Sequence, residues 1–256
     1  MLQRRLKTAL LILGITLLMA GCSAANPNHP LPIDPHGGIW DRFFVFPLSW
    51  LLQRSAEFFG GSYGIAILIV TVLVRLVILP LTIKQTKNQK RMQEIQPEIV
   101  KIREKYKNDP QKAQQEIMKV YQMHNANPIT GCLPVFIQMP VLLAFYHSII
   151  RTAQIRSHDF LWLQLGAKDP YYILPILAGL TTFLQQLIMM RYSPTMSENP
   201  QMKMMTYIMP VMIFVIAISL PSALSLYWVY GNIFTTIQNY FLYRDKGNAP
   251  KGGLAK

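Results

Sequence analysis

The sequence predicts an all-α polytopic membrane protein. Five transmembrane helices surround a hydrophilic groove facing the cytoplasm, beside an outer interfacial helix and a cytoplasmic helical hairpin. Three observations lead there. Of 256 residues, 51% are hydrophobic and only 14% are charged, against the usual quarter or so in soluble chains. The sparse charge is lopsided, with 25 Lys+Arg against 12 Asp+Glu. And a single arginine interrupts an otherwise apolar run whose companion runs carry phased polar residues. A mean hydropathy of +0.23 argues against a basic soluble nucleic-acid binder. Two cysteines exclude a disulfide scaffold, and the apolar content excludes a disordered chain.

At the N-terminus, Arg4, Arg5 and Lys7 precede an uncharged run over residues 8–20. This is the basic-then-apolar order of a secretory signal. Leu18-Met19-Ala20-Gly21-Cys22 follows, small residues before a cysteine, similar to a bacterial lipobox. Residues 1–21 are therefore expected to be a lipoprotein signal peptide, with Cys22 acylated at the mature N-terminus. The alternative is an ordinary signal anchor with a chance cysteine.

Residues 22–60 form the outer N-terminal segment. Within it Ile39, Trp40, Phe43, Phe44, Phe46, Leu48, Trp50, Leu51 and Leu52 are flanked by Asp41, Arg42, Arg54 and Glu57. That composition suits a helix lying in the membrane interface. Pro47 and the flanking charges leave too short an uncharged stretch for a sixth span.

A helix needs about 20 residues to cross ~30 Å of hydrocarbon. Residues 64–83 qualify although they contain Arg75, and residues 129–150 and 171–190 carry no charge. Residues 204–243 are uncharged throughout and too long for one helix. Pro221-Ser222 divides them, because proline disfavours helix in the residue before it. The five-span core is thus residues 61–243.

Charge orients it. Residues 84–128 hold ten Lys/Arg and five Asp/Glu, and the basic tail 244–256 adds four Lys/Arg. The segments on the opposite side, residues 23–63 and 151–170, hold five of each sign. The N-terminus is therefore expected outside and the C-terminus in the cytoplasm.

Within residues 84–128, Met92, Ile95, Ile99, Ile102 and Tyr106 recur at helical spacing, and Ala113, Ile117, Val120 and His124 repeat the pattern. Asn108-Asp109-Pro110 between them signals a turn. An antiparallel helical hairpin follows, its apolar stripes facing each other. Its basic outer faces suit an acidic partner such as ribosomal RNA, anionic lipid or a targeting factor. A merely solvated loop is the alternative.

Arg75 is the most informative residue. It precedes Lys84 by nine positions, about 13 Å at 1.5 Å per residue. No other span contains Asp or Glu, so no carboxylate within a span can neutralise it. An intramembrane arginine of that kind needs water or a guest; the alternative is snorkelling to the headgroups. Thr71 shares its face. Gln138 lies in the second run, and Thr182, Gln186 and Met189 align in the third. Trp228, Asn232, Thr235 and Asn239 form a stripe in the fifth. Such residues on several helices point to a shared wet cavity, although each alone could simply bond a neighbouring helix.

At these residues the chain resembles the YidC family of membrane protein insertases. The stretches carrying the resemblance are TVLVRLVILP (71–80), NPITGCLPVFIQMP (127–140), PILAGLTTFLQQ (175–186) and YIMPVMIFVIAISLPSALSLYWVYGN (207–232). The resemblance implies insertion and folding of nascent membrane proteins, with or without the Sec translocon. It implies five spans around a groove closed on the outside, whose arginine corresponds to Arg75, with polar lining at Gln186 and Trp228. The large outer domain of some bacterial members is not expected between the lipobox and the spans, and the lipobox resembles members from Gram-positive bacteria. Neither cofactor nor metal is expected. An enzyme is disfavoured because no His/Asp/Glu set converges at membrane depth, and His147 and His158 show no evident partners. A small-anion transporter is the rival class; five spans without an intramembrane carboxylate argue against it.

Overall fold

The computed structural model describes residues 31–127, 133–192 and 200–244. Signal segment 1–21, Cys22, Cys132 and the tail from residue 245 lie outside them. The described chain is mostly helical and divides into two compact units. The first draws on residues 31–70, 138–168 and 221–224, the second on 71–137, 169–220 and 225–244.

In the first unit, a π-helical turn Asp41–Val45 leads into α1, Phe46–Phe58. Pro47 at the start of α1 has no N–H to return to Phe43. The preceding turn is wound wider, with Phe46 N–H donating to the Asp41 carbonyl. Leu48, Leu52 and Ala56 form a buried stripe, while Phe43, Trp50 and Phe58 stay exposed. The expected helix is present, and it is amphipathic. Gly60 and Gly61, at φ of 65° and 87°, make the turn into α2, Tyr63–Glu94, in a region costly for residues bearing a Cβ. The first unit holds only the opening turns of α2.

Helix α5, Leu133–Arg151, is followed by the short α6, Ala153–Arg156. Arg151 ties this part of the unit together. Its guanidinium donates to both Asp41 carboxylate oxygens, at 2.7 and 2.5 Å, and to the carbonyls of Leu31 and Pro32. Arginine's planar fork matches a carboxylate in this two-bond geometry. Ser148 adds a bond to the Val45 carbonyl.

A two-strand ladder, β1 (Asp159–Phe160) and β2 (Leu163–Gln164), pairs antiparallel with Asp159 opposite Gln164. The all-α expectation has no place for it, since two residues per strand carry no readable alternation. The histidines also find partners. His158 Nε2 accepts from the Tyr63 backbone N–H at 3.4 Å, and His147 lies edge-on to Trp40 and Tyr146.

In the second unit α2 continues without a break to Glu94, 32 residues in all, about 48 Å at 1.5 Å per residue. The apolar run ends at residue 83 but the helix does not, because Lys, Gln and Arg sustain helix well. Pro97, in the first turn of α3 (Gln96–Lys105), accompanies a break at Ile95 rather than at residue 83, where the apolar run ends. Helix α4, Pro110–Met123, begins at Asp109, whose carboxylate accepts from the Lys112 N–H at 3.0 Å. Between α3 and α4 lies an apolar cluster of Ile95, Ile99, Ile117, Val120 and Ala126, with Met92, Ile102 and Tyr121 against it. Each fully buried Ile or Val there contributes roughly 1.5–3 kcal/mol. His124 ends α4 and pairs with Glu98 at 3.4 Å.

Helix α7, Ile173–Tyr192, packs antiparallel on α8, Pro200–Ser219. The direction follows from the contacts: Gly179 faces Phe214, and Met190 meets Thr206. The uncharged run begins at residue 204, and α8 is already helical at Pro200, a residue well suited to a first turn. Pro221 separates α8 from α9, Ser222–Arg244. By length and composition alone, α2 and α7 are candidate membrane spans, and Phe136–Arg151 and Thr206–Ser219 are shorter apolar helices.

Candidate functional site

Arg75 sits on α2 within the second unit, part-exposed. Among the described residues it makes no ion pair and no hydrogen bond. Its guanidinium rests over Gly231 of α9. A Cβ built on that glycine would lie 2.9 Å from Nη2 and 3.8 Å from Cζ. Thr71, one turn earlier on the same face, is buried at 1% exposure and makes its own contact. Among the described residues the structure thus presents an uncompensated cation against bare helix backbone.

Asn232 follows Gly231 and turns to α7. Its amide donates to the hydroxyls of Thr182 at 2.8 Å and Thr181 at 3.1 Å. Those hydroxyls donate in turn to carbonyls of their own helix, Thr182 to Ala178 and Thr181 to Leu177, each at 2.7 Å. The result is a satisfied polar tie between α7 and α9. In lipid such ties hold helices together where apolar contact offers little preference over acyl chains. Trp228 packs on the cluster of Ala178, Ile213, Ala217 and Val229, the packing role that aromatic residues commonly take. Gln186 is half-buried on α7. Gln138 is half-buried on α5 and belongs to the first unit.

So Arg75 and Thr71 share one helix face, and Asn232 joins Thr182. Three participants escaped sequence reading. Gly231 carried a signal, since a glycine inside a helical pattern asks for a packing reason. Thr181 gave none beyond its type. Tyr243, fully buried, donates from its hydroxyl to Gln89 at 2.8 Å, while Lys90 reaches the Leu242 carbonyl at 2.8 Å. Among the described residues no three His, Cys, Asp or Glu side chains gather where they could hold a metal ion.

Comparison with known proteins gives this geometry its context. The family model described as 60Kd inner membrane protein matches residues 55–249, which include all four sequence stretches that carry the resemblance. Membrane protein insertase YidC 2 of Bacillus anthracis is 48% identical over 257 residues, covering 98% of both chains. The chain belongs to the YidC family of membrane protein insertases. Membrane protein insertase MisCA of Bacillus subtilis is 49% identical, covering 94% of this chain and 92% of that one. Membrane protein insertase YidC 1 of Halalkalibacterium halodurans is 51% identical, covering 98% and 95%. These relatives place the chain with the Bacillus-type YidC proteins. A crystal structure of active YidC insertase with its first transmembrane domain resolved superimposes with a TM-score of 0.64 at 26% identity. It covers 80% of this chain and 47% of that one, so this chain spans about half the length of the solved protein. The relatives are named as insertases, which at family level supports a protein that is not an enzyme.

Proposed function

We propose that this chain inserts nascent integral membrane proteins and helps them fold, through a hydrated groove among five membrane-spanning helices. In this reading α2, α5, α7, α8 and α9 are the spans. The mature N-terminus, lipidated at Cys22, lies outside, and the C-terminus lies in the cytoplasm. Arg75 attracts acidic residues in the short hydrophilic end of a client. Thr71, Gln138, Gln186, Trp228 and Asn232 belong to the groove's wall, with Asn232 also tying α9 to α7. Drawing the hydrophilic segment into the groove shortens the distance it must cross. The adjoining apolar segment then leaves sideways, driven by its transfer into lipid. The hairpin of α3 and α4 and the basic tail offer contacts for the ribosome, the Sec translocon or a targeting factor.

What carries the reading is the state of Arg75. An arginine on a long apolar helix, with no carboxylate among the described residues to quench it, keeps its field for a guest. The test is charge exchange in liposomes holding the purified protein. Arg75→Ala should stop insertion of a client with an acidic translocated tail, and Arg75→Lys should retain much of it. Full activity of the alanine variant would defeat the electrostatic step.

A further inference from the structure

We infer that Gly231 is a positioning residue for Arg75: its missing side chain makes a notch that seats the guanidinium without using any of its hydrogen-bond donors. The inference rests on the role proposed for Arg75 above.

Two physical facts stand against each other at this position. Glycine weakens a helix interior relative to alanine, and Gly231 lies well inside α9 with Tyr230 and Asn232 beside it. Something must offset that weakness. The three heavy atoms that a Cβ at position 231 would meet most closely all belong to one side chain: Nη2, Cζ and Nε of Arg75, at 2.9, 3.8 and 3.9 Å. The first is closer than real Cβ contacts come. Alanine would therefore push the guanidinium off the helix. Because the clashing atom ends a flexible side chain, the arginine can yield and the fold need not.

The manner of seating matters for function. A carboxylate partner would hold Arg75 more firmly but would cancel its charge. The Gly231 carbonyl is no partner either, since it accepts from Thr235 Oγ1 at 2.7 Å. Contact with bare backbone restrains the guanidinium by shape alone. Among the described residues nothing takes up its five N–H donors, which leaves them for a carboxylate that arrives with the client.

The experiment uses the full chain in liposomes with two clients, one carrying two aspartates in its translocated tail and one carrying asparagines there. Gly231→Ala should raise the client concentration needed for half-maximal insertion several-fold with the aspartate client, leave the plateau rate unchanged, and leave the asparagine client unaffected. Its melting temperature should equal or exceed that of the wild type. In an Arg75→Ala background the same substitution should add nothing. In an Arg75→Lys background it should add little, since an ammonium has no planar fork to seat. Equal loss with both clients, or a lowered melting temperature, would make Gly231 an ordinary packing glycine and overturn the inference. A silent Gly231→Ala beside a defective Arg75→Ala would overturn the notch alone. A silent Arg75→Ala would overturn both the notch and the charge reading beneath it.

Discussion

Replacing Asp41 by Asn removes the one carboxylate among the described residues that pairs with Arg151 while keeping the shape of the side chain. The two groups are 17% and 10% exposed, so Arg151 would be left as a largely buried cation. Breaking a buried pair from one side costs about 3–5 kcal/mol. Arg151 keeps its bonds to the Leu31 and Pro32 carbonyls, and Asn can still accept one bond. The low end, about 3 kcal/mol, is expected. At about 2–4 °C per kcal/mol for a chain of this size, the melting temperature should fall by about 6–12 °C. Scanning fluorimetry in detergent reads this through Trp40 and Trp50, which lie on either side of Asp41 in sequence. Acidity supplies a second reading. Hydrogen bonding to Arg151 is the largest influence holding the Asp41 carboxyl below its ordinary value of 3.8. A lowered folded-state pKa contributes stability above the unfolded value that is lost as pH falls through the folded one. The gap between wild type and Asp41→Asn should therefore be full at neutral pH and close below about pH 4. Replacing both partners by apolar residues, as in Asp41→Leu with Arg151→Met, should restore most of the loss. A single Asn variant that melts within a degree or two of wild type would refute the clasp.

Three further outcomes are expected. Ile99→Ala, at a position 1% exposed in the cluster between α3 and α4, should cost about 2–4 kcal/mol locally, seen as faster amide exchange across residues 96–123 with α7 and α8 unchanged. Tyr243→Phe removes the donor to Gln89 and should cost about 1 kcal/mol, read as increased exchange at the end of α9; unchanged protection there would count against the tie. Gln85 is buried and its amide nitrogen lacks a partner among the described residues, so Gln85→Leu should be neutral or raise the melting temperature, because an unsatisfied buried amide costs about 1–3 kcal/mol.

How far the sequence reaches varies with the kind of signal. Ile95, Ile99, Ile117 and Val120 are legible as a facing pair of stripes because each repeats at helical spacing over several turns, and they do meet in one cluster. The end of the first long helix, α2, is not legible in the same way. Hydropathy changes at Lys84, but hydropathy measures what the solvent must be, not whether the backbone stays helical, and α2 runs on to Glu94. Arg75 stands out by composition alone, as a charge where charge is expensive. Its neighbours do not, since position along a helix says nothing about which residue of a distant helix comes opposite.

The same division holds for the molecule as a whole. By itself the sequence determined the largely helical class, the facing stripes of α3 and α4, the break at Pro221, the family and the unusual charge at Arg75. All of these follow from local composition, spacing or motif. Only the tertiary structure decided that Arg151 grips Asp41, that Asn232 is spent on Thr182, and that Arg75 lies over a glycine. The reason is separation: those pairs stand 110, 50 and 156 residues apart. No periodicity reaches across such distances, and it is the packing of whole helices that brings them together.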